Sequence, residues 1–286
     1  MRLVRIGEKG RERAGVLASE EDFYDLSSIG DFSEEFFSKN SRDNIQKQLG
    51  NLIDQGLKPE KIGNQRWGAP IARPHQIICI GLNYADHAQE TGAEIPSEPI
   101  IFTKSPNTLI GPYDNVHIPV KSDKTDWEVE LAIVIGKQCR YLESEDAALK
   151  NIFGYMISND ISEREFQLER EGQWSKGKSC ETFNPAGPWL LTEDEVPDPT
   201  KLGMALRVNG ELMQNSSTSQ MVFNPSFLVQ YLSQFMVLEP GDIINTGTPP
   251  GVGMGLTPQR FLRPGDEMEL QIDLLGKQEQ RVIAAP

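Results

Sequence analysis

The chain has 286 residues and a formal net charge of −14, with 24% charged and 38% hydrophobic residues. This composition is typical of a water-soluble globular protein that is long enough to bury a large core. The negative charge argues against nucleic acids and anionic membranes as partners, because both would repel the protein. No apolar run approaches the roughly 20 residues that are needed to span a bilayer.

The cysteines and the first residues of the chain indicate the cellular compartment in which the protein is expected. Cys79, Cys139 and Cys180 are the only cysteines, and none of them belongs to a CxxC pair. Such sparse, unpaired cysteines are typical of a reducing environment. The opening segment MRLVRIGEKGRERAG mixes charges with apolar residues and lacks the apolar core of a signal peptide. We therefore expect a cytoplasmic protein.

The first 74 residues predict a small α+β unit. Three short strands are expected over residues 2–6, 14–18 and 23–26, separated by glycines and charged turns. Residues 41–55 carry apolar side chains at helical spacing, and Ser41 is a suitable N-cap. The segment 67–74 contains two prolines and no periodicity, so we expect a domain boundary there. The predicted domains are 1–72 and 73–286.

The first helix expected after residue 76 follows a buried-type strand, QIICIGLNY, and runs from an Asn83 cap to about Thr91. On this helix His87 and Glu90 lie three residues apart and share a face. In that arrangement a carboxylate can orient an imidazole and raise its basicity, as a water-activating base requires. The alternative is an idle surface pair, which is the commoner occurrence.

Two carboxylates alternate in the segment TDWEVELAIVIG, residues 125–136. In a strand, Glu128 and Glu130 point to one face about 6 to 7 Å apart, while the surrounding side chains are apolar. Buried carboxylates this close need a cation or a proton, and Asp160 in YMISNDIS offers a third oxygen ligand. Three carboxylates suit Mg²⁺, Mn²⁺ or Ca²⁺ better than zinc. The alternative is a solvated edge strand with ordinary acidic residues.

A second helix is expected from a capping box formed by Ser162 and Glu165, ending at Gly172. Arg164 and Gln167 lie one turn apart on it, just beyond Asp160. Their donors are suitably placed to hold a substrate carboxylate or carbonyl. The alternative is that Arg164 forms ion pairs with the glutamates of the same helix.

The segment QWSKGKSCETF, residues 173–183, contributes Lys178. Near a metal its ammonium group can stabilise an enolate or donate a proton, although a lysine in a loop usually faces water. Cys180 lacks a histidine partner that would make it a nucleophile, so a buried structural role is expected for it.

Prolines and glycines organise the last third of the chain. Asn224 followed by Pro225 predicts a third helix, and we assign its apolar residues to the core: Phe227, Leu228, Tyr231, Leu232 and Phe235. The PGD sequences at 240–242 and 264–266 predict type II turns that each lead into a strand. Between them, NTGTPPGVGMG (245–255) offers backbone amides and the hydroxyls of Thr246 and Thr248 as a nest for a carboxylate. An ordinary tight loop is the alternative.

Taken in order, these segments resemble the fumarylacetoacetate hydrolase family. The motifs that carry the resemblance span residues 76 to 269 and are GLNYADHAQE, FTKSPNTLIGP, DWEVELAIVIG, GYMISNDISEREFQ, KGKSCETFNPAGPW and EPGDIINTGTPPGVG. One departure is Glu181, which stands where the family commonly has aspartate and bears on the geometry of the loop around Lys178.

The resemblance implies a mainly β (α+β) fold in which a mixed, rolled β-sheet forms the C-terminal domain. It also implies a bound Mg²⁺ or Mn²⁺ and a homodimer. By position it assigns metal binding to Glu128, Glu130 and Asp160, and the acid/base dyad to His87 and Glu90. It assigns the catalytic lysine to Lys178 and substrate contacts to Arg164, Gln167 and Thr246; Thr248 is added from the composition of the loop.

The activity implied by the resemblance is hydrolysis of a C–C bond in a 2,4-dioxo acid of the acylpyruvate type, giving pyruvate and a second small acid. Within the family the motifs are similar to those of bacterial members named ureidoglycolate lyase and of 2,4-diketo-3-deoxy-L-rhamnonate hydrolases of sugar-acid catabolism. The alternatives are an isomerase or decarboxylase of oxo acids, or a ureidoglycolate-type lyase. The further alternative, a non-catalytic binding protein that is stabilised by a metal, gives no shared role to His87, Glu90 and Lys178.

Overall fold

The computed structural model describes residues 1–86 and 94–286, and the protein is mainly β, as predicted. The strands are β1 Arg2–Ile6, β2 Arg13–Leu17, β3 Asp22–Asp25, β4 Glu60–Lys61, β5 Trp67–Gly68, β6 Ile77–Gly81, β7 Ile100–Lys104, β8 Leu109–Ile110, β9 Val116–Ile118, β10 Thr125–Asp126, β11 Val129–Ile135, β12 Ile152–Asn159, β13 Ser162–Glu163, β14 Asn184–Thr192, β15 Gly203–Val208, β16 Glu211–Ser217, β17 Ile243–Asn245, β18 Glu267–Ile272 and β19 Gly276–Ala284. The α-helices are α1 Glu34–Lys39, α2 Arg42–Asp54, α3 Glu145–Leu149, α4 Ser175–Lys178 and α5 Pro225–Leu232.

A large mixed sheet dominates the part of the chain that the structure describes. Its strand order is β4-β3-β2-β1-β14-β12-β11-β17-β6-β7, with β5 paired to β1 and β8 to β14. A smaller sheet, β16-β15-β18-β19-β9, covers one of its faces. The strands β11 and β12 thus lie in the middle of the large sheet, so the alternative of a solvated edge strand for residues 125–136 is wrong.

The alternation of side chains along β11 separates two hydrophobic cores. Leu131 and Ile133 pack with residues of the smaller sheet in one core. Ala132 and Val134 point to the opposite face and pack with the α1 phenylalanines Phe36 and Phe37. Because both faces are covered, every residue of β11 is buried, as the sequence predicted.

The N-terminal strands are continuous with the large sheet, since β1 pairs antiparallel with β14. The helix expected over 41–55 is α2, and the Ser41 side chain accepts a hydrogen bond from the backbone N–H of Asn44, which confirms the predicted cap. The division of the chain at residue 72 stays a prediction.

Both PGD turns form as expected. Gly241 and Gly265 have φ angles of +87° and +102°, a region that glycine enters without steric cost. The strands β17 and β18 begin two residues after these glycines. The predicted helix at Asn224 is α5, with Asn224 as its N-cap. However, Phe235 lies beyond the end of this helix and is 62% exposed, so its assignment to the core is wrong.

The capping box expected at Ser162 does not form. Ser162 lies in β13, and its hydroxyl donates to the Glu128 side chain and to the Asp160 carbonyl instead of capping a helix. A five-residue π-helix, Glu165–Glu169, follows, and the Glu163 carboxylate accepts from the N–H of Phe166 at its start. The prediction failed because Ser162 is drawn into the carboxylate cluster. Such single π-turns are frequent at functional sites.

Within residues 1–86 and 94–286, none of the helices combines the length and apolar character needed to span a bilayer.

Candidate functional site

The three predicted metal-ligating carboxylates come together in the middle of the large sheet. β11 and β12 pair so that Val129 lies opposite Asn159, which brings Glu128 and Asp160 face to face at the strand ends. The N–H of Asp160 donates to the Glu128 carbonyl at 3.0 Å. Carboxylate oxygens of Glu128, Glu130 and Asp160 all lie within 4.8 Å of one another, and all three residues are buried.

The electrostatics of this cluster leave Glu130 short of compensating charge. Burial, followed by the charges of Asp160 and Glu128, raises the pKa of Glu130 well above its ordinary value. For Glu128 burial also acts to raise the pKa, but the cations Lys178 and Arg164 outweigh burial and lower the pKa to about 2. Three buried carboxylates that offer hard oxygen ligands, one of them without a compensating charge, fit a divalent cation such as Mg²⁺ or Mn²⁺.

Lys178 is brought to the carboxylates by the short helix α4. Its Nζ donates to Glu128 Oε2 at 2.7 Å and to Asp160 Oδ2 at 2.8 Å. Burial favours the neutral amine, but the charges of Asp160 and Glu128 outweigh this and raise the pKa of Lys178. Lys178 is therefore an ammonium group that faces two of the three candidate ligands, and it is not a lysine exposed to water.

A second buried cation, Lys104, was not singled out from the sequence. It ends β7, is only 2% exposed, and donates to the Asp160 carboxylate. Its Nζ also donates to the Phe183 carbonyl at 2.5 Å. Two features of the sequence could have identified Lys104. It ends the apolar segment IIFTK and belongs to the family motif FTKSPNTLIGP, and the three buried carboxylates need positive charge.

Arg164 is held by carboxylates from the preceding strands and not by glutamates of its own helical turn. Its Nε donates to Asp126 Oδ2 at 2.8 Å, and its Nη2 lies 2.7 Å from Glu128 Oε1. Burial alone would lower the pKa of Arg164, but the charges of Asp126 and Glu128 raise it. Nη1 donates to Gln167 Oε1 at 3.0 Å. The guanidinium is thus held by Asp126, Glu128 and Gln167 while it lines the cavity.

The glycine-rich loop 245–255 binds carboxylates, but the carboxylates are the protein's own. The N–H of Gly247 donates to Glu130 Oε2 at 2.8 Å, and the N–H groups of Gly253 and Met254 donate to Asp126 at 2.7 and 3.0 Å. Asp126 was not predicted, although its spacing of two from Glu128 places it on the same face. The loop is therefore fixed by the same acidic segment, residues 126–130, that carries two of the candidate ligands.

Both predicted threonines use their hydroxyls within the protein. Thr246 donates to the Leu131 carbonyl at 2.8 Å, and Thr248 donates to the Val129 carbonyl at 2.9 Å. Thr248 lines the cavity beside the carboxylates, together with Arg164, Gln167 and Lys178. This cavity has a volume of about 140 Å³. The substrate contacts assigned to these residues stay predictions.

His87 and Glu90 lie outside the described residues, so their predicted pairing is a matter of sequence alone. Glu181, the departure from the family pattern, has a side chain that is 66% exposed and lies 3.6 Å from Nδ1 of His117. It makes no contact with the carboxylate cluster, and Lys178 keeps its two carboxylate partners.

Comparison with known proteins connects this geometry to a family. The sequence model described as fumarylacetoacetate (FAA) hydrolase C-terminal matches residues 76–283. A protein of Burkholderia ambifaria with the provisional name hydrolase is 47% identical over 282 residues, covering 98% of both chains.

Solved structures extend the similarity to the whole chain. Maleylpyruvate hydrolase from Sphingobium sp. SYK-6 superposes with a TM-score of 0.83 at 29% identity and covers 100% of both chains. The 2-hydroxyhepta-2,4-diene-1,7-dioate isomerase from Mycobacterium marinum superposes with a TM-score of 0.78 at 30% identity and covers 99% of this chain and 98% of the other. The neighbours thus include both a hydrolase and an isomerase.

Proposed function

Because the chain belongs to the fumarylacetoacetate hydrolase family, we propose that it hydrolyses a C–C bond of a 2,4-dioxo acid to give pyruvate and a second small acid. The observation that carries the proposal is the cavity in which Glu128 and Glu130 of the carboxylate cluster meet Lys178 and the buried guanidinium of Arg164. A cationic side chain beside a cation-binding cluster suits a reaction that develops an enolate.

Glu128, Glu130 and Asp160 would hold the divalent cation. A Mg²⁺ or Mn²⁺ ion in this position supplies positive charge that neutralises the carboxylates and favours formation of an enolate. The Gly247 N–H and Lys104 fix the orientations of Glu130 and Asp160 respectively. The chain thus holds the ligand set in place by contacts within the fold.

Arg164 and Gln167 are proposed to bind the carboxylate of the substrate. Ion pairs with Asp126 and Glu128 hold the guanidinium in place at the cavity, so its N–H groups are pre-oriented for a substrate carboxylate. A buried charged donor binds a carboxylate more strongly than a solvated one does. This contact fixes the end of the substrate that becomes pyruvate.

His87, oriented by Glu90, is proposed to take a proton from water, on the grounds of their spacing in the sequence. The water oxygen then forms a bond to C4 of the substrate, and the π electron pair of the C4 carbonyl moves onto its oxygen. As this pair re-forms the C=O bond, the C3–C4 bond breaks, and its electron pair remains on the pyruvate fragment as an enolate. Delivery to C3 of the proton taken from water, with the Lys178 ammonium stabilising the negative charge, completes pyruvate, and the second acid leaves from C4.

The experiment is to incubate the protein with 2,4-dioxo acids and Mg²⁺ in ¹⁸O-labelled water. We expect equimolar pyruvate and one ¹⁸O atom in the second acid, detected by mass spectrometry. Lys178→Met should abolish turnover, whereas Lys277→Met, which removes an exposed lysine paired with Glu269 and Glu279, should not. Absence of pyruvate from every acid in the series contradicts the proposal.

The second candidate is an isomerase of oxo acids, which the similarity to the heptadienedioate isomerase favours. An isomerase moves a proton and a double bond without consuming water. Its single product therefore has the mass of the substrate, and no second acid is formed from the C4 end. Release of carbon dioxide or urea would instead indicate the decarboxylase or the ureidoglycolate-type lyase.

Two further properties are part of the proposal. Homodimers and a cytoplasmic location are expected from the family, and light scattering coupled to gel filtration tests whether the protein is a dimer.

A sugar-acid derivative such as 2,4-diketo-3-deoxy-L-rhamnonate is one candidate substrate, and its cleavage would give pyruvate and lactate.

A further inference from the structure

The cavity beside the carboxylate cluster has two chemically different parts. Its charged lining residues, which include Glu128, Arg164 and Lys178, are joined by ion pairs into one group. The rest of the described lining is largely apolar: Leu82, Phe102, Leu168, Trp174, Val252 and Met254. A substrate whose carboxylate contacts the charged group therefore directs its other end toward apolar side chains.

Phe102 and Trp174 form an aromatic wall in this apolar part. Their ring centroids are 5.3 Å apart in an edge-to-face arrangement, and Nζ of Lys178 lies 5.2 Å from the centre of the Phe102 ring. The wall thus begins at the catalytic lysine and extends away from it. Neither aromatic side chain is fully buried, so apolar surface is left for a ligand to cover.

Gly81 is what allows Trp174 to take this position. A Cβ atom at residue 81 would lie 2.7 Å from Cζ3 and 3.1 Å from Cη2 of the indole ring. Gly81 does not have a positive φ angle, so the backbone conformation does not require glycine there. The close approach of the indole ring is therefore the reason for glycine at this position.

Among the described residues, the apolar part of the lining offers no charged partner for a polar substituent, and the polar lining residues Gln167 and Thr248 already bond within the protein. Among the described lining residues, the cations are Arg164 and Lys178, and both already face carboxylates. A distal carboxylate would lose hydration without gaining a counterion, and a distal hydroxyl would lose its hydrogen bonds to water. Either cost disfavours a dicarboxylate or polyhydroxy substrate.

We infer that the preferred substrates are 2,4-dioxo acids with a short, purely apolar acyl substituent, which packs against the wall of Phe102 and Trp174. This inference rests on the proposed function and narrows it. It disfavours both the hydroxylated sugar-acid derivative and acids with a second carboxylate.

The test compares three acids that share the pyruvate end. Propanoylpyruvate and lactoylpyruvate have the same skeleton and differ by one hydroxyl group, and fumarylpyruvate carries a distal carboxylate. We expect kcat/KM for propanoylpyruvate to exceed that for lactoylpyruvate by about 10- to 100-fold, the range in which an apolar pocket discriminates against an added hydroxyl. Fumarylpyruvate should be poorer still. Equal or higher kcat/KM for lactoylpyruvate or fumarylpyruvate overturns the inference.

Calorimetric binding of the same acids keeps this inference separate from the proposed function. If none of the acids is cleaved but propanoylpyruvate binds more tightly than lactoylpyruvate, the hydrolase proposal fails and the apolar preference stands. If lactoylpyruvate binds as tightly as propanoylpyruvate, the preference is wrong whatever the turnover.

Matched variants locate the effect. Leu168 is 41% exposed and lines the cavity, whereas Leu212 is 43% exposed and is not a lining residue. Leu168→Gln should reduce the ratio of propanoylpyruvate to lactoylpyruvate specificity at least several-fold, and Leu212→Gln should leave it unchanged. An unchanged ratio in Leu168→Gln counts against the wall.

Gly81→Ala tests the position of Trp174 directly. It should raise KM for propanoylpyruvate several-fold as the indole is displaced, with a matching change in tryptophan fluorescence. Gly50→Ala is the control, because a Cβ atom there meets no neighbouring atom within 4 Å. If Gly81→Ala changes the fluorescence but leaves KM as in the unmodified protein, the wall does not contact the substrate.

Discussion

Lys104 and Asp160 form an ion pair whose two side chains have no exposure to solvent. The residues are 56 positions apart, and the pair joins the end of β7 to the carboxylate that follows β12. Asp160 receives a second ammonium group from Lys178. The candidate metal cluster is therefore balanced by lysines from two separate parts of the chain.

We predict that Lys104→Met lowers the melting temperature of the metal-free protein and enlarges the increase caused by Mg²⁺. Removing one partner of a buried ion pair typically costs about 3–5 kcal/mol of folding stability. A cation bound to the carboxylate cluster would replace the lost positive charge of Lys104 and so stabilise the folded variant. Thermal unfolding with EDTA and with Mg²⁺ measures both effects. Lys277→Met serves as the control, and an unchanged Mg²⁺ effect in Lys104→Met would argue against this role.

Glu130→Gln should stabilise the metal-free protein near neutral pH. The pKa of Glu130 is raised by burial and by its acidic neighbours, so its ionisation costs folding stability as the pH rises above the ordinary value of 4.5. The glutamine variant avoids this cost. Its melting temperature in EDTA should exceed that of the unmodified protein by a few °C at pH 7, with the difference vanishing at or below pH 4.5.

The same variant should lose metal binding, because an amide cannot supply the charge of the carboxylate. Mg²⁺ should raise the melting temperature of the unmodified protein but not that of Glu130→Gln. A variant that is less stable than the unmodified protein in EDTA at pH 7, or that still responds to Mg²⁺, would contradict the assignment.

Lys178 is predicted to act without forming a covalent bond to substrate. A Schiff base requires a neutral amine, whereas Asp160 and Glu128 raise the pKa of Lys178 and keep it protonated despite its burial. Borohydride treatment during turnover, followed by mass spectrometry, should find no substrate-derived adduct on the peptide containing Lys178. An adduct there would indicate an aldolase-like route.

His87 and Glu90 are predicted to act as a unit. If Glu90 works only by orienting His87, adding Glu90→Ala to His87→Ala should cause little further loss of kcat. Steady-state kinetics of the two single variants and the double variant measure this. Defects that simply multiply in the double variant would show two independent roles.

The sequence by itself determined the central strand and its two faces. Alternating carboxylates and apolar residues in TDWEVELAIVIG predicted a buried strand with Glu128 and Glu130 on one side. The strand is β11, which begins at Val129, so Glu130 lies in it and Glu128 directly precedes it. Local chemistry was equally reliable for the Ser41 and Asn224 caps and the two PGD turns. These features depend on residues that are near one another in the chain, so their spacing carries the information.

The tertiary structure decided how the acidic cluster is balanced and what surrounds it. Lys104 and the amides of the glycine-rich loop reach the site only because the sheet brings β6, β7, β11 and β17 together. The same contacts draw Ser162 away from its predicted cap. Burial and the pairing of opposite charges depend on residues that are far apart in sequence. Local patterns therefore identified the candidate metal ligands but not the residues that hold them in place.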